Sequence, residues 1–498
     1  MDLLIHMRGG GFLLLTTVTL SFLAVISFAL PSPPTASPLF HGYPFVVIWN
    51  MPTPVCKIHN ITLDTSPFQA VTTPASVPDQ FLVLFYRGRL GLYPYVDTST
   101  GQQFNGGIPQ KGNLTESLNI AFTNIEYYIP SETSPGLAVI DWEGWRPLWH
   151  RNWDSKEIYQ KLSIAYTREL DANLTAEQAV IVAKEQFEKA ARDYMEDTLE
   201  LGITERPQYL WGFYLFPDCY NYDWDTPGYT GECSAAVKSQ NDELLWLWET
   251  STALYPSVYL DSRLSNNHSA ALFVRNQVQE AVRVAALPQH PFTAPIYVYS
   301  RPVFSDLNKE FLSNEDLVST IGESAALGAS GSVLWGASES CQALSAYLTS
   351  TLNPYIANVT AAAKLCSTSL CQGNGRCVRK DYDSDSYLHL NPNSFTIHES
   401  NGKYQAVGVP SLSDLTAFAD SFTCQCYAGK SCSPRLPTQL PMTPVSIPVY
   451  QRSVKRRSSR FPEHLFIQVN LSAPHPCSLL LSWSSPCKDL DCTLSSLP

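Results

Sequence analysis

Seven short apolar or aromatic runs recur between residues 45 and 336: Phe45 to Trp49, Leu82 to Tyr86, Leu137 to Trp142, Leu210 to Phe216, Leu254 to Leu260, Ile296 to Ser300 and Ser332 to Trp335. Most are separated by segments long enough for a crossover helix, so successive strands are expected to run parallel. That pattern predicts an α/β chain, a distorted (β/α) TIM-like barrel of about seven parallel strands, rather than a sandwich. With 498 residues and 44% apolar content, the chain can bury such a core and still carry a smaller module. The clearest helix lies between the third and fourth runs. Thr175 and Gln178 form a capping box, and Ala179, Ala183, Phe187, Ala190, Ala191 and Tyr194 recur at helical spacing, as core rather than as a ligand platform.

The ends are different in kind. Residues 1–30 begin with Arg8, run apolar from Phe12 and stop before Pro31-Ser32-Pro33-Pro34, the layout of a secretory signal. An uncleaved anchor is the alternative, because the apolar stretch approaches the length of a spanning helix. Six Asn-x-Ser/Thr sequons, at Asn60, Asn113, Asn173, Asn267, Asn358 and Asn470, fit passage through the secretory pathway. In that compartment thirteen cysteines read as disulfides rather than metal ligands, with an odd one left over. No His/Cys spacing suggests zinc, and no cofactor motif is present. The formal charge of -12 argues against a nucleic-acid partner.

From Cys366 the composition turns cysteine-dense, and the ending Cys424-x-Cys426-x-x-Gly429-x-x-Cys432 resembles an EGF-like module. That resemblance implies pairs Cys366 with Cys377, Cys371 with Cys424, and Cys426 with Cys432, out of fifteen connectivities open to six cysteines. Cys56, Cys219, Cys233 and Cys341 then serve the large domain. Cys56 and Cys341 sit just past the first and last strand runs, so a bond between them would lock the barrel seam. The expected layout is a signal over 1–30, a barrel over 31–361, the cysteine module over 362–432 and a flexible tail over 433–498. The tail is rich in Ser and Pro, holds Lys455-Arg456-Arg457 and carries Cys477, Cys487 and Cys492, among which the odd thiol is expected. Its Leu479-Leu480-Leu481 is too short for a lipid-anchor signal, so this carboxyl terminus does not support membrane association.

The chemistry is expected at Asp141-Trp142-Glu143, which ends the run Leu137-Ala138-Val139-Ile140. Residues i and i+2 of a strand share a face, so both carboxylates project from the carboxyl end of a buried strand, where barrel enzymes keep their active sites. Two solvated acids on a surface loop are the bland alternative, but Trp142, Trp145 and Trp149 make a poor solvent face. Paired carboxyls suit glycoside hydrolysis: one protonates the leaving oxygen and the other supports charge at the anomeric carbon. Mutual repulsion keeps a proton on the pair, with Glu143 the general acid and the more buried Asp141 ordering that proton. Tyr214, Tyr259 and Trp335, at other strand ends, would stack on sugar rings.

Three long segments, Gly136 to Trp149, Leu210 to Tyr222 and Ile321 to Gly331, resemble the vertebrate hyaluronidase family, in order, within a resemblance running from about Pro44 to Cys432. Leu388-His-Leu-Asn-Pro-Asn-Ser-Phe395 is similar to the sperm-surface branch of that family. The resemblance implies an endo-β-N-acetylhexosaminidase that cuts β-1,4 N-acetylglucosaminide linkages of hyaluronan with retention, the substrate's own N-acetyl carbonyl acting as nucleophile. By position it makes Glu143 the acid/base and Asp141 the stabiliser of the intermediate, with Tyr214 and Tyr259 holding the N-acetyl group and Trp335 walling the pocket. Tyr93 and Tyr95 would line the sugar groove, Asn50 follows the first strand, and Arg146 contacts substrate or braces the acids, bracing being preferred.

Two departures from the family pattern stand out. Gly144 replaces a second acid, at a position not expected to touch chemistry. Gln277, before Val278, replaces an arginine thought important for activity, and Arg275 is a candidate substitute. The competing reading is therefore a catalytically weak or inactive glycan-binding or adhesion protein on the same fold. A lesser one is an enzyme mainly for chondroitin, against which the retained Tyr259 argues. The expected location is extracellular or lysosomal.

Overall fold

The computed structural model describes residues 33–336, 340–400 and 403–449. The leader, Asn470 and the three tail cysteines lie outside the described residues. Seven parallel strands form the frame: β1 (Val46–Asn50), β2 (Ala70–Thr72), β3 (Leu82–Tyr86), β4 (Gly136–Asp141), β5 (Tyr209–Phe213), β6 (Tyr297–Ser300) and β7 (Gly331–Trp335). They make two ladders, β2-β1-β7-β6 and β3-β4-β5. The expected run at Leu254–Leu260 forms no strand, though it does occupy a stave position between the ladders. It joins them through single parallel bridges, Tyr214 with Tyr255, Leu254 with Ile296 and Ser257 with Tyr299. Pro256 explains this, since a proline without an N–H cannot continue a ladder. In its place β2 supplies a stave that the sequence reading missed, three residues pairing beside β1. Between β2 and β3 no ladder is present among the described residues, so the barrel is open on that side.

Helices cover the outside: the crossovers α1 (Leu114–Tyr128), α2 (Ala176–Glu205) and α3 (His268–Ala285), and after the last strand α4 (Asn353–Ser369). The capping box read at Thr175 is present, the hydroxyl accepting from the Gln178 N–H and the Gln178 side chain accepting in return from the Thr175 N–H. Ala179, Ala183, Phe187, Ala191 and Tyr194 are buried, as their spacing implies. Inside the staves a second core fills the barrel: Val46, Ile48, Leu82, Leu84, Leu137, Val139, Tyr255, Tyr297, Tyr299 and Val333. These alternate along each strand with residues that pack outward against the helices, the period of two that a closed sheet requires.

Five disulfides are formed among the described residues. Cys56–Cys341 joins the segments following β1 and β7, Cys219–Cys233 closes the loop after β5, and the cysteine-rich segment pairs as Cys366–Cys377, Cys371–Cys424 and Cys426–Cys432. That segment is not a separate body, however. The expected boundary at 361/362 falls inside α4, and barrel and cysteine-rich segment belong to one compact unit. The expected tail also begins too early. Val445–Val449 forms a strand paired antiparallel with Lys403–Gly408, which in turn pairs with Phe395–Ser400. The alternation Val445-Ser-Ile-Pro-Val449, with Ile447 and Val449 buried, was a legible strand pattern inside a Ser/Pro-rich stretch, and Pro448 is tolerated because this strand lies at the sheet edge. No helix among the described residues is long and apolar enough to cross a membrane.

A buried ion network holds the cysteine-rich segment to the barrel. Glu323 is fully buried and accepts from Arg275 Nε at 2.8 Å and from both terminal nitrogens of Arg379, at 2.6 and 3.1 Å. Arg275 also donates to the Asp383 carbonyl at 2.8 Å and to the Asp385 carboxylate at 2.8 Å. Removing the shared acid leaves the buried Arg379 without a carboxylate and Arg275 with only the exposed Asp385. Glu323→Ala is therefore expected to cost about 3–5 kcal/mol, read as an earlier thermal unfolding transition, whereas Asp385→Ala, at the exposed end, is expected to cost at most about 1 kcal/mol.

Candidate active site

The inward positions continue past the apolar core and turn polar at the carboxyl ends of the strands. Register fixes which residues meet there: Asn50 of β1 pairs with Thr72 of β2 and with Trp335 of β7, and Tyr86 of β3 pairs with Asp141 of β4. Tyr214 follows β5 directly, and Ser257 and Tyr299 complete the ring. Trp335 Nε1 donates to the Tyr86 hydroxyl at 3.2 Å, spanning the open side of the barrel. Tyr214 donates to Ser257 Oγ at 3.3 Å, and its ring centroid lies 6.3 Å from that of Tyr259. The Tyr259 and Trp335 rings are near-parallel, 9° apart with centroids at 6.0 Å. Asn50, Tyr214, Tyr259 and Trp335 are thus gathered round Asp141 at one mouth.

Asp141 and Glu143 differ in environment as expected. The Glu143 side chain is 45% exposed, and its backbone carbonyl is pinned by Arg146 Nη1 at 3.2 Å and by Lys156 Nζ at 2.6 Å. Asp141 lies inside the mouth. Burial first, then the Glu143 charge and a hydrogen bond shared with Glu143, hold its carboxyl well above the usual carboxylate range, so the pair keeps a proton. Burial likewise keeps the Tyr214 and Tyr259 phenols protonated, as donors. Two buried polar atoms, Asn50 Nδ2 and the Tyr299 hydroxyl, have no hydrogen-bond partner among the described residues, a cost that a polar ligand in the mouth would relieve.

Other expectations change. Tyr93 is fully buried: it stacks on Trp142 at 4.7 Å and accepts from the Trp145 N–H at 3.2 Å, so it braces the acid loop and does not line a groove. Tyr95 is half-buried, stacked on Phe104 at 4.6 Å with the Arg87 guanidinium 4.2 Å from its ring. Arg146 lies 3.9 Å from the Glu143 carboxylate, in the bracing geometry preferred from sequence. Gln277 is buried with its amide satisfied, accepting from the Cys219 N–H and donating to Asp218 and Asn221. Arg275 does not stand in for an arginine there, because it points to Glu323 and the cysteine-rich segment. Tyr86, Ser257 and Tyr299 were missed, although each lies within or at the end of an apolar run and the period of two would have selected them. No cluster of metal-ligating side chains is present among the described residues.

A parallel-barrel enzyme with a proton-sharing carboxyl pair among aromatic walls is a glycoside hydrolase in architecture. The hyaluronidase family profile matches residues 34–436, and the chain belongs to that family. Among its relatives, hyaluronidase-5 of Mus musculus is 50% identical over 411 residues, covering 80% of this chain and 77% of that protein. Hyaluronidase PH-20 of Homo sapiens is 45% identical over 406 residues, covering 80% and 79%. Bee venom hyaluronidase shares the fold with a TM-score of 0.56 at 30% identity, covering 63% of this chain and 99% of that one. The same enzyme in complex with a hyaluronic acid tetramer gives 0.55 at 29% identity, covering 63% and 98%.

Two outcomes follow from the geometry. Tyr86→Phe removes the acceptor of the Trp335 indole and is expected to lower kcat/KM about three- to tenfold in steady-state assays. Asp141→Asn removes the carboxyl that burial and the Glu143 charge hold well above the usual carboxylate range. The titration of that group in the parent's pH–activity profile is expected to be missing from the variant's residual profile.

Proposed function

We propose that this chain is an endo-β-N-acetylhexosaminidase that hydrolyses β-1,4 N-acetylglucosaminide linkages of hyaluronan with retention of configuration. The observation that carries the reading is the carboxyl pair at the mouth of the barrel, Asp141 inside it and hydrogen-bonded to a half-exposed Glu143, with one proton held between them. Glu143 gives its proton to the glycosidic oxygen as the bond from that oxygen to C1 breaks. The acetamido carbonyl oxygen of the same sugar bonds to C1 and forms a cyclic oxazolinium, so no enzyme carboxylate is needed as nucleophile. In this reading the proton that the pair shares is on Glu143 when the bond breaks, so that Asp141, then ionised, accepts from the acetamido N–H and offsets its growing positive charge. Tyr214 and Tyr259 offer hydroxyl donors toward that group, and Trp335 closes the side of the pocket. Water then attacks C1, Glu143 takes the water proton, and the acetamido group re-forms.

The intact acid pair favours turnover over a purely binding role, which Gln277 and the unusual tail motivate. Chondroitin, an isomeric backbone, is a weaker substrate in this reading. The five disulfides fit the secretory pathway, and an extracellular or lysosomal site of action goes with them. So do the exposed sequons Asn60, Asn113, Asn173 and Asn267. Asn113 and Asn267 cap helices through Oδ1, which leaves Nδ2, the atom a glycan takes, free for modification. Asn358 is partly buried, its Oδ1 accepting from the Leu390 N–H at 3.0 Å.

Purified protein is expected to depolymerise high-mass hyaluronan, and Glu143→Gln to lose about 10²–10⁴-fold in kcat while still binding the polymer. A parent that binds hyaluronan without shortening it would establish the binding reading, and faster cleavage of chondroitin would reassign the substrate.

A further inference from the structure

We propose that Arg301 is a positioning residue for the sugar pocket, its guanidinium setting the spacing and tilt of the Tyr259 and Trp335 rings. The inference rests on the pocket read above and names a group that neither the motifs nor the acid pair bring in. In register Ser300 pairs with Leu334, so Arg301, the next residue, stands level with Trp335 at the mouth. Its guanidinium carbon lies 5.7 Å from the Tyr259 ring centroid and 6.0 Å from that of Trp335. One cation therefore rests against both members of the near-parallel ring pair. A cation in a site shielded from water attracts the negative faces of both rings and resists their rotation.

The guanidinium is itself fixed from behind. Nη2 donates to Asn308 Oδ1 at 2.6 Å and Nη1 to the Ser305 carbonyl at 3.4 Å, on the loop that Val303 and Phe311 close by a backbone bridge. Arg301 is 6% exposed, and no carboxylate is paired with it among the described residues. Its Nε has no hydrogen-bond partner there either. An unpaired buried cation is expensive to keep unless its charge is used, and here it faces the two rings. Space is reserved for it. Gly336 takes φ +114°, and a Cβ at that position would stand 2.9 Å from Arg301 Nε, so the residue after Trp335 is held to glycine by the arginine as well as by its backbone.

The test compares Arg301→Met, which keeps length and loses charge, with Arg301→Lys and with Asn308→Ala at the exposed anchor, all in the full chain. Arg301→Met is expected to raise KM for hyaluronan about five- to tenfold with kcat within about twofold, Arg301→Lys to recover most of that loss, and Asn308→Ala to raise KM about twofold. An unchanged KM in Arg301→Met, or a lysine variant no better than the methionine one, overturns the proposal. If Arg301→Met is not secreted folded, the lysine and Asn308 variants decide in the same terms, a normal KM in both overturning it. The same substitutions made in Glu143→Gln protein are read as the dissociation constant of a hyaluronan oligosaccharide. A parent that binds but does not cleave defeats the hydrolase reading alone and leaves this one to be judged by the weaker binding expected of Arg301→Met. A parent that neither binds nor cleaves defeats both.

Discussion

Parallel register is the constraint on which the rest of this structure depends. Asn50 opposite Trp335 and Tyr86 opposite Asp141 are ladder positions before they are functional residues. Because side chains alternate with a period of two, a slip of one residue in either ladder would bury the site residues behind the sheet and turn the outer core into the mouth. The apolar inward layers of Val46 and Ile48, Leu82 and Leu84, and Leu137 and Val139 prevent that slip, since no other register buries them together. Specificity of pairing in the core thus becomes precision at the site two residues further along each strand. The Cys56–Cys341 bond reinforces the ladder at the β1/β7 seam, where Asn50 and Trp335 meet.

The same burial supplies the chemistry. Burial at the end of an apolar strand, and only then the Glu143 charge beside it, holds the Asp141 carboxyl well above the usual carboxylate range. Glu143, two residues on, has left the strand and is half in solvent. Chain direction therefore sorts the pair: desolvation makes the inner acid slow to ionise, and the outer one meets solvent and ligand. Arg146 and Lys156 fix the outer residue through its backbone carbonyl, which constrains its position.

Much of this was legible because it follows from periodicity and from residues with few structural alternatives. Six of the seven apolar runs are strands, and the acid pair falls where a strand ends. The pairing of the cysteine-rich segment follows the EGF-like spacing. What was not legible depended on contacts rather than pattern. Tyr93 and Tyr95 are two residues apart in one segment, yet one is sealed beneath Trp142 and Trp145 while the other reaches the surface, and nothing in Leu92-Tyr-Pro-Tyr95 states which. The stave at Ala70–Thr72 is too short to carry a period. The edge strand at Val445–Val449, by contrast, has a legible alternation that the Ser/Pro-rich composition around it outweighed.

The sharpest lesson lies in α3. Arg275 and Gln277 are two residues apart, and two residues turn a helix by about 200°. They therefore face nearly opposite ways, Arg275 into the Glu323–Arg379 network that carries the cysteine-rich segment and Gln277 into the loop of Asp218 and Cys219 beside the site. Nearness in sequence suggested that one could replace the other, and helical geometry forbids it. The same geometry makes α3 a shared wall: its buried face is fixed on one side by a salt-bridged segment some hundred residues away and on the other by the disulfide-closed loop of Cys219–Cys233. The cysteine-rich segment is accordingly part of what holds the acid loop's neighbours in place, which is why it and the barrel form one compact unit across a boundary that composition alone would draw.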